Sequence, residues 1–280
     1  MVYRDEDQYV NQLLRESEKL FHYDLEIETD RITALKERAE ELISSHGNVA
    51  RLILARVACL AKDEATMRRH HYAILETNPD DSSSFRDYSE SLRKMGYYSQ
   101  ARETSRRAHE LAPANSELLR TLVKNCVISG YFQASWRYLD LAIKANARVM
   151  TREYNFLSQA VHFFKDSGVS DLELERVQHI AMAVLRLEEL TPIGVLRSPA
   201  VHMEFLHGPP PLAGEATNEH RLFLMWGIQT AVRGDHLGIL NERLYQAISR
   251  SQLDPRILSF VKIRFFNRTR EGMMSTGFNY

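Results

Sequence analysis

The stretch GYYSQARETSRRAHELAP, Gly96–Pro113, is echoed 34 residues later by GYFQASWRYLDLAIKANA, Gly130–Ala147. Position by position, Gly96 matches Gly130, Tyr98 matches Phe132, Ala101 matches Ser135 and Ala108 matches Ala142. The match extends upstream, with Phe85 against Leu119 and Tyr88 against Leu122. The same step carries Pro113 back to Pro79 and Tyr88 back to Leu54, so three units emerge, at 48–81, 82–115 and 116–149. Each reads as two helices joined by a turn. Small residues let the helices approach closely, aromatic ones fill the gap to the next unit, and Gly or Pro breaks the helix between them.

A 34-residue period with large apolar, small and Pro residues at set points resembles the tetratricopeptide repeat. The resemblance is closest at 82–115, where Phe85 stands at the Trp position, Gly96-Tyr97-Tyr98 forms the turn, Ala101 and Ala108 are the small packing residues and Pro113 ends the unit. The third unit keeps Gly130, Phe132 and Ala142 but has Ser135 where Ala is usual and no terminal Pro. The first departs further, with Lys62 in place of the turn Gly and Met67 in place of the small residue. The resemblance implies an α-solenoid of antiparallel helical hairpins whose first helices line a concave groove for a peptide or helix.

Outward from the repeats, helical patterning continues. Residues 1–47 hold apolar residues at helical spacing over 6–22 and 31–45, a hairpin with Asp30 as N-cap and Gly47-Asn48 as its stop. Residues 150–190 form another, with the stripe Tyr154, Leu157, Val161, Phe164, then the turn KDSGVSD and a capping-box pattern at Ser170 and Glu173. From 191 to 216 the text turns Pro- and Gly-rich (HGPPPLAGEAT), an insert or linker. Over 217–280, MWGIQTAVRGDH reads as a degenerate repeat in which Trp226-Gly227 and Gly234 take the large–Gly and turn-Gly positions. PRILSFVKIRFFNRT reads as a last helix opened by Asp254-Pro255, although its Ile, Val and Phe content also suits a strand. TREGMMSTGFNY reads as a frayed tail. The expectation is an all-α protein with at least ten helices.

Composition excludes several classes. With 44% hydrophobic residues, 26% charged and a formal charge of −1, the chain has no nucleic-acid signature. Two cysteines, Cys59 and Cys126, are too few for a disulfide framework. The start, MVYRDEDQYV, lacks an apolar signal region, and no apolar run nears the ~20 residues that cross a bilayer, so a cytoplasmic protein is expected. No phosphate loop, nucleophile elbow or HExxH appears, and neither cofactor nor metal is expected. His202 and Glu204 would share a strand face with His207 pointing the other way. His70 and His71 are adjacent on a helix and cannot chelate together.

The groove positions carry more. By the resemblance they are Leu52 and Arg56 in the first unit, Arg86, Glu90, Arg93 and Lys94 in the second, and Glu117, Arg120, Lys124 and Val127 in the third, with Tyr154 bordering them. Arg86, Glu90 and Arg93 fall at i, i+4, i+7, as do Arg120, Lys124 and Val127, so each set shares a helix face. This basic bias suits an acidic peptide or a carboxylate, which Arg forks bind in two places. The family's carboxylate clamp is absent, Asn125 standing one step off, and a solvated charged face is the plain alternative. The expected function is a non-enzymatic interaction protein (adaptor, chaperone or regulator). The alternatives are a sensor or antitoxin-like inhibitor acting through 191–280 and an enzyme with a site around His202. The oligomeric state is open.

Overall fold

A computed structural model describes residues 3–22, 29–145, 151–192, 201–208, 221–267 and 278–279. Ten helices come first: α1 (Tyr3–His22), α2 (Thr29–Glu41), α3 (Gly47–Leu60), α4 (Glu64–Thr77), α5 (Ser82–Lys94), α6 (Tyr98–Leu111), α7 (Ser116–Ile128), α8 (Phe132–Lys144), α9 (Thr151–Ser167) and α10 (Asp171–Leu187). A small mixed part follows: β1 (Val201–Gly208), β2 (Arg221–Gln229), α11 (Gly234–Arg250), α12 (Ile257–Phe260), β3 (Val261–Phe266) and β4 (Phe278–Asn279).

The hairpins α3–α4, α5–α6 and α7–α8 form a solenoid of the tetratricopeptide-repeat kind, and the turn chemistry repeats with the sequence. Lys62, Gly96 and Gly130 all have positive φ, at 60°, 81° and 88°. After each, an amide closes the same helix-ending bond: Asp63 N to Ala58 O, Tyr97 N to Leu92 O and Tyr131 N to Cys126 O, each at 2.8 Å. Only glycine takes this backbone freely, so Lys62 bears a strain its two counterparts avoid. The helix starts repeat as well, since Asp81 and Asn115, 34 residues apart, cap α5 and α7 through their side chains. Tyr98, Ala101, Ala108, Phe132 and Ala142 are all buried. Phe85 is half-buried and Pro113 exposed. Gly47 opens α3 instead of stopping α2.

α10 does not stack as the next helix of the series. Its residues 171, 175, 179, 182 and 186 lie on one face, and that face runs back across the turn edges of the earlier units. The Asp171 carboxylate accepts the Gln133 and Ala134 amides at 3.1 and 3.2 Å, capping α8, whose own N-cap Tyr131 has no side-chain cap. Glu175 meets Arg102 of α6, and His179 Nε2 lies 2.6 Å from Ser99 Oγ. A Cβ on Gly96 would strike Met182, and the Arg186 guanidinium lies over the Tyr97 ring, whose hydroxyl donates to Glu64 of α4. About 25 Å of helix, at ~1.5 Å per residue, therefore straps the second and third units together and reaches the first through Tyr97.

The C-terminal part corrects four expectations. The stretch read as the start of a degenerate helical repeat is, over Arg221–Gln229, the strand β2, in the sheet order β3-β2-β1-β4. β1 pairs antiparallel with β2 and β4, while β2 and β3 are parallel and joined through α11. Trp226 is fully buried beside Phe132, ring centroids 6.4 Å apart, and Gly227 admits the Phe266 ring against the backbone. Neither is part of a repeat. The final helix is a single turn, α12, followed by β3, the strand that its β-branched and aromatic content suited. Within the expected linker, 201–208 is strand β1; 193–200 and 209–220 lie outside the described residues. Within the expected tail, Phe278–Asn279 pairs with β1, and 268–277 lies outside them.

One sheet face, with Val201, Met203, Leu224, Trp226, Ile228, Val261 and Phe265, shares a continuous core with α8, α9, α10 and α11. Asn241 of α11 both donates to Phe265 O (3.0 Å) and accepts from Phe265 N (2.8 Å), so it occupies part of the free edge of β3. Cys59 and Cys126 are buried thiols, and burial pushes the Cys126 thiol up to about 12. No described helix is long and apolar enough to cross a membrane.

Candidate functional site

The basic residues expected along the groove have divided fates. Arg56 of α3 is 6% exposed; it donates to Ser17 Oγ at 3.1 Å and lies 5.9 Å from the centre of the Phe21 ring. Lys94, at the end of α5, donates to the Phe21 carbonyl at 2.5 Å and sits 5.1 Å from the same ring. Phe21 itself is buried against Ala58, Cys59, Leu92 and Met95. The cause is length. α1 has 20 residues where α3 and α5 have 14 and 13, so its last turn reaches the residues that a bound segment would otherwise meet. Arg56 and Lys94 therefore work inside the fold.

Arg86 is intermediate. It pairs with Asp87 at 3.0 Å and with Glu117 of α7 at 3.5 Å, its side chain 28% exposed. Burial opposes its charge, but Asp87 beside it holds Arg86 more firmly protonated than usual. Asp87 is the more enclosed partner, and burial raises its carboxyl above the usual range despite Arg86 and Arg56. Val127 is wholly buried. Arg93, Lys124 and Glu90 are half-buried, and Arg120 is exposed with no ion-pair partner among the described residues. Tyr154 is 42% exposed and packs on Trp136 with ring centres 5.0 Å apart.

Sequence reasoning overlooked a second series, on the turn edge. Arg68 lies 4.7 Å from the Tyr97 ring centre and Arg102 lies 3.5 Å from that of Tyr131. Each residue of the first pair stands 34 positions before its counterpart, so the period alone could have revealed it. Tyr131 donates to Glu175 at 2.8 Å, and Arg102 completes the cluster at 2.9 Å. Burial pushes the Glu175 carboxyl up, but bonds from Ser99 and Tyr131 and the Arg102 charge outweigh it, leaving the group below its ordinary range. This cluster holds the strap.

His202 is buried on β1, its Nε2 3.5 Å from Glu204 Oε1, while His207 is exposed. Among the described residues no group of three His, Cys, Asp or Glu could hold a metal ion. His71 is buried, stacked on Tyr88 at 4.8 Å and paired with Ser91 Oγ at 2.9 Å, which is the setting of a core histidine.

Fold and surface together define a helical-repeat protein closed by a small mixed sheet. No protein-family model matches the chain. No curated protein matches it either. Among solved structures, a point mutant of the Thermobaculum terrenum O-GlcNAc transferase is similar at 23% identity and a TM-score of 0.33, over 52% of this chain and 26% of that one. The chain thus spans about a quarter of the transferase's length, and a likeness of that extent speaks for neither activity nor partner.

Proposed function

We propose that the protein is a non-enzymatic interaction module, an adaptor, chaperone or regulator of the cytoplasm, that holds an acidic segment of another protein along the first helices of its repeats. The architecture supports this reading, because a stack of hairpins presents an extended surface that such proteins use for binding. The observation that carries it is Arg120, exposed on α7 and without an ion-pair partner among the described residues, with Arg93 and Lys124 at neighbouring groove positions. The alternative, an effector within 191–280, is less well supported, since the sheet shares one core with α8–α10.

The test is a pull-down from the native host with wild type and with Arg93→Glu/Arg120→Glu, followed by binding of the captured partner at rising salt. The partner should associate more slowly and be captured less on charge reversal, and should bind more weakly as salt rises, because exposed charges are screened over ~8 Å at physiological salt. A partner held equally by both proteins, at any salt, would transfer the binding role to 191–280.

A further inference from the structure

Between α9 and the start of β2 lies a cleft of about 480 Å³. We propose that it receives a cationic side chain of the bound segment, next to the acidic stretch held on α7; the inference rests on the groove reading above. Asn155, Gln159, His162 and Asp166 line the cleft at i, i+4, i+7, i+11, one stripe of α9, and Phe163 and Leu222 form its apolar wall.

The cleft holds two groups that accept without donating into it, Asp166 and His162 Nε2, beside amides and hydroxyls that do both. His162 Nδ1 lies 2.6 Å from the Ser158 carbonyl oxygen, which can only accept, so Nδ1 carries the proton. In the neutral ring Nε2 therefore keeps a lone pair. Asp166 is exposed and makes no ion pair or hydrogen bond with any described residue. The amide oxygens of Asn155 and Gln159 add further acceptors. No Lys or Arg is among the described residues that line the cleft. An ammonium or guanidinium fits this set: donors meet Asp166 and His162 while the aliphatic stem lies on Phe163 and Leu222. Tyr154 and Ser158, also in the lining, stand 34 residues after Arg120 and Lys124, so the repeat register passes from a basic row to an acceptor row. The segment would then be acidic first and basic next.

The experiment titrates the full chain with Nα-acetyl-lysine methylamide and with its neutral analogue Nα-acetyl-norleucine methylamide, following backbone amide shifts by NMR. The lysine derivative should shift the amides of 155–166 saturably and bind about fivefold more tightly than the norleucine one, the upper end for an ion pair that solvent reaches. Asp166→Asn, an exposed change that leaves folding intact, should erase that difference. Equal binding of the two derivatives, or no shift along α9 with the lysine derivative, overturns the proposal. An octaglutamate peptide read against Arg93→Glu/Arg120→Glu reports the groove separately, so either reading can fail while the other stands.

Discussion

Removing the carboxylate of Glu175 should loosen the whole array. Its side chain is 9% exposed and Arg102 is 12% exposed, with the pair at 2.9 Å and the Tyr131 hydroxyl donating at 2.8 Å. Glu175→Ala leaves the guanidinium with only Glu103, 3.7 Å away on its own helix, and the phenol without its acceptor. Breaking a buried pair from one side costs about 3–5 kcal/mol, and partial access of water to Glu175 favours the lower figure, ~3 kcal/mol. At about 2–4 °C per kcal/mol for a chain of this size class, the melting temperature should fall by roughly 6–12 °C. Glu175→Gln keeps the shape and an acceptor but not the charge, and should cost about 1–2 kcal/mol.

The pH dependence follows from the lowered carboxyl. A carboxylate whose folded value lies below its unfolded one, about 4.3, contributes fully above that unfolded value and loses its contribution as pH falls through the folded one. The gap between wild type and Glu175→Ala should therefore be complete at pH 7 and should close below about pH 4. Thermal unfolding followed by circular dichroism at 222 nm reads both, and the variant's transition should also broaden as the units uncouple. A Glu175→Ala protein that melts with the wild type at pH 7 would mean that α10 rests on the repeats without holding them.

Three further outcomes are expected. Burial, with Arg56 and His70 adding to it, pushes the His71 imidazole down to about 3, so the unfolded chain takes up a proton first as pH falls below about 6.5. Between pH 7 and 5 the wild type should lose about 2 kcal/mol in urea titrations that His71→Phe does not lose, and equal slopes would show that His71 is not held neutral. Arg86→Glu should destabilise by about 2 kcal/mol because Asp87 is left enclosed beside a like charge, whereas the exposed Arg120→Glu should stay within ~0.5 kcal/mol; equal urea midpoints for the two would contradict the Arg86–Asp87 geometry. A Cβ on Gly130 would come within 2.9 Å of the Leu174 backbone at φ 88°, so Gly130→Ala should cost at least ~2 kcal/mol, while Lys62→Gly should gain about 0.5–1 kcal/mol by relieving the same backbone conformation; reversed signs in differential scanning calorimetry would refute the turn equivalence.

The repeats were legible because each of their requirements is local. Gly96 and Gly130 meet a backbone demand that one residue can satisfy, and Ala101, Ala108 and Ala142 meet a contact between adjacent helices. The course of α10 was not legible, because its partners Ser99, Arg102 and Tyr131 lie 40 or more positions away, outside any short period. Its polar residues Asp171, Glu175, His179 and Arg186 carry no sequence pattern that separates them from a solvated helix face. β2 was misread for a different reason. LFLMWGIQ, Leu222–Gln229, is a continuous apolar run, and periodicity cannot tell a fully buried strand from a buried helix.

The same distinction governs the candidate site. A helix face drawn from spacing assumes that nothing else in the chain uses it, and the long α1 breaks that assumption in the first two units. Arg56 and Lys94 hold Phe21, and Arg86 is balanced by Asp87 and Glu117. Of the basic set, Arg120 alone is both exposed and without an ion-pair partner among the described residues, so the charge offered to a partner is far smaller than the sequence count. A surface with so few open charges can steer an encounter but does little to slow dissociation. Tight holding of a partner therefore requires contacts beyond the basic row, and the α9 cleft, with its apolar wall and an Asp166 that no described residue pairs, supplies a place for them one repeat further along.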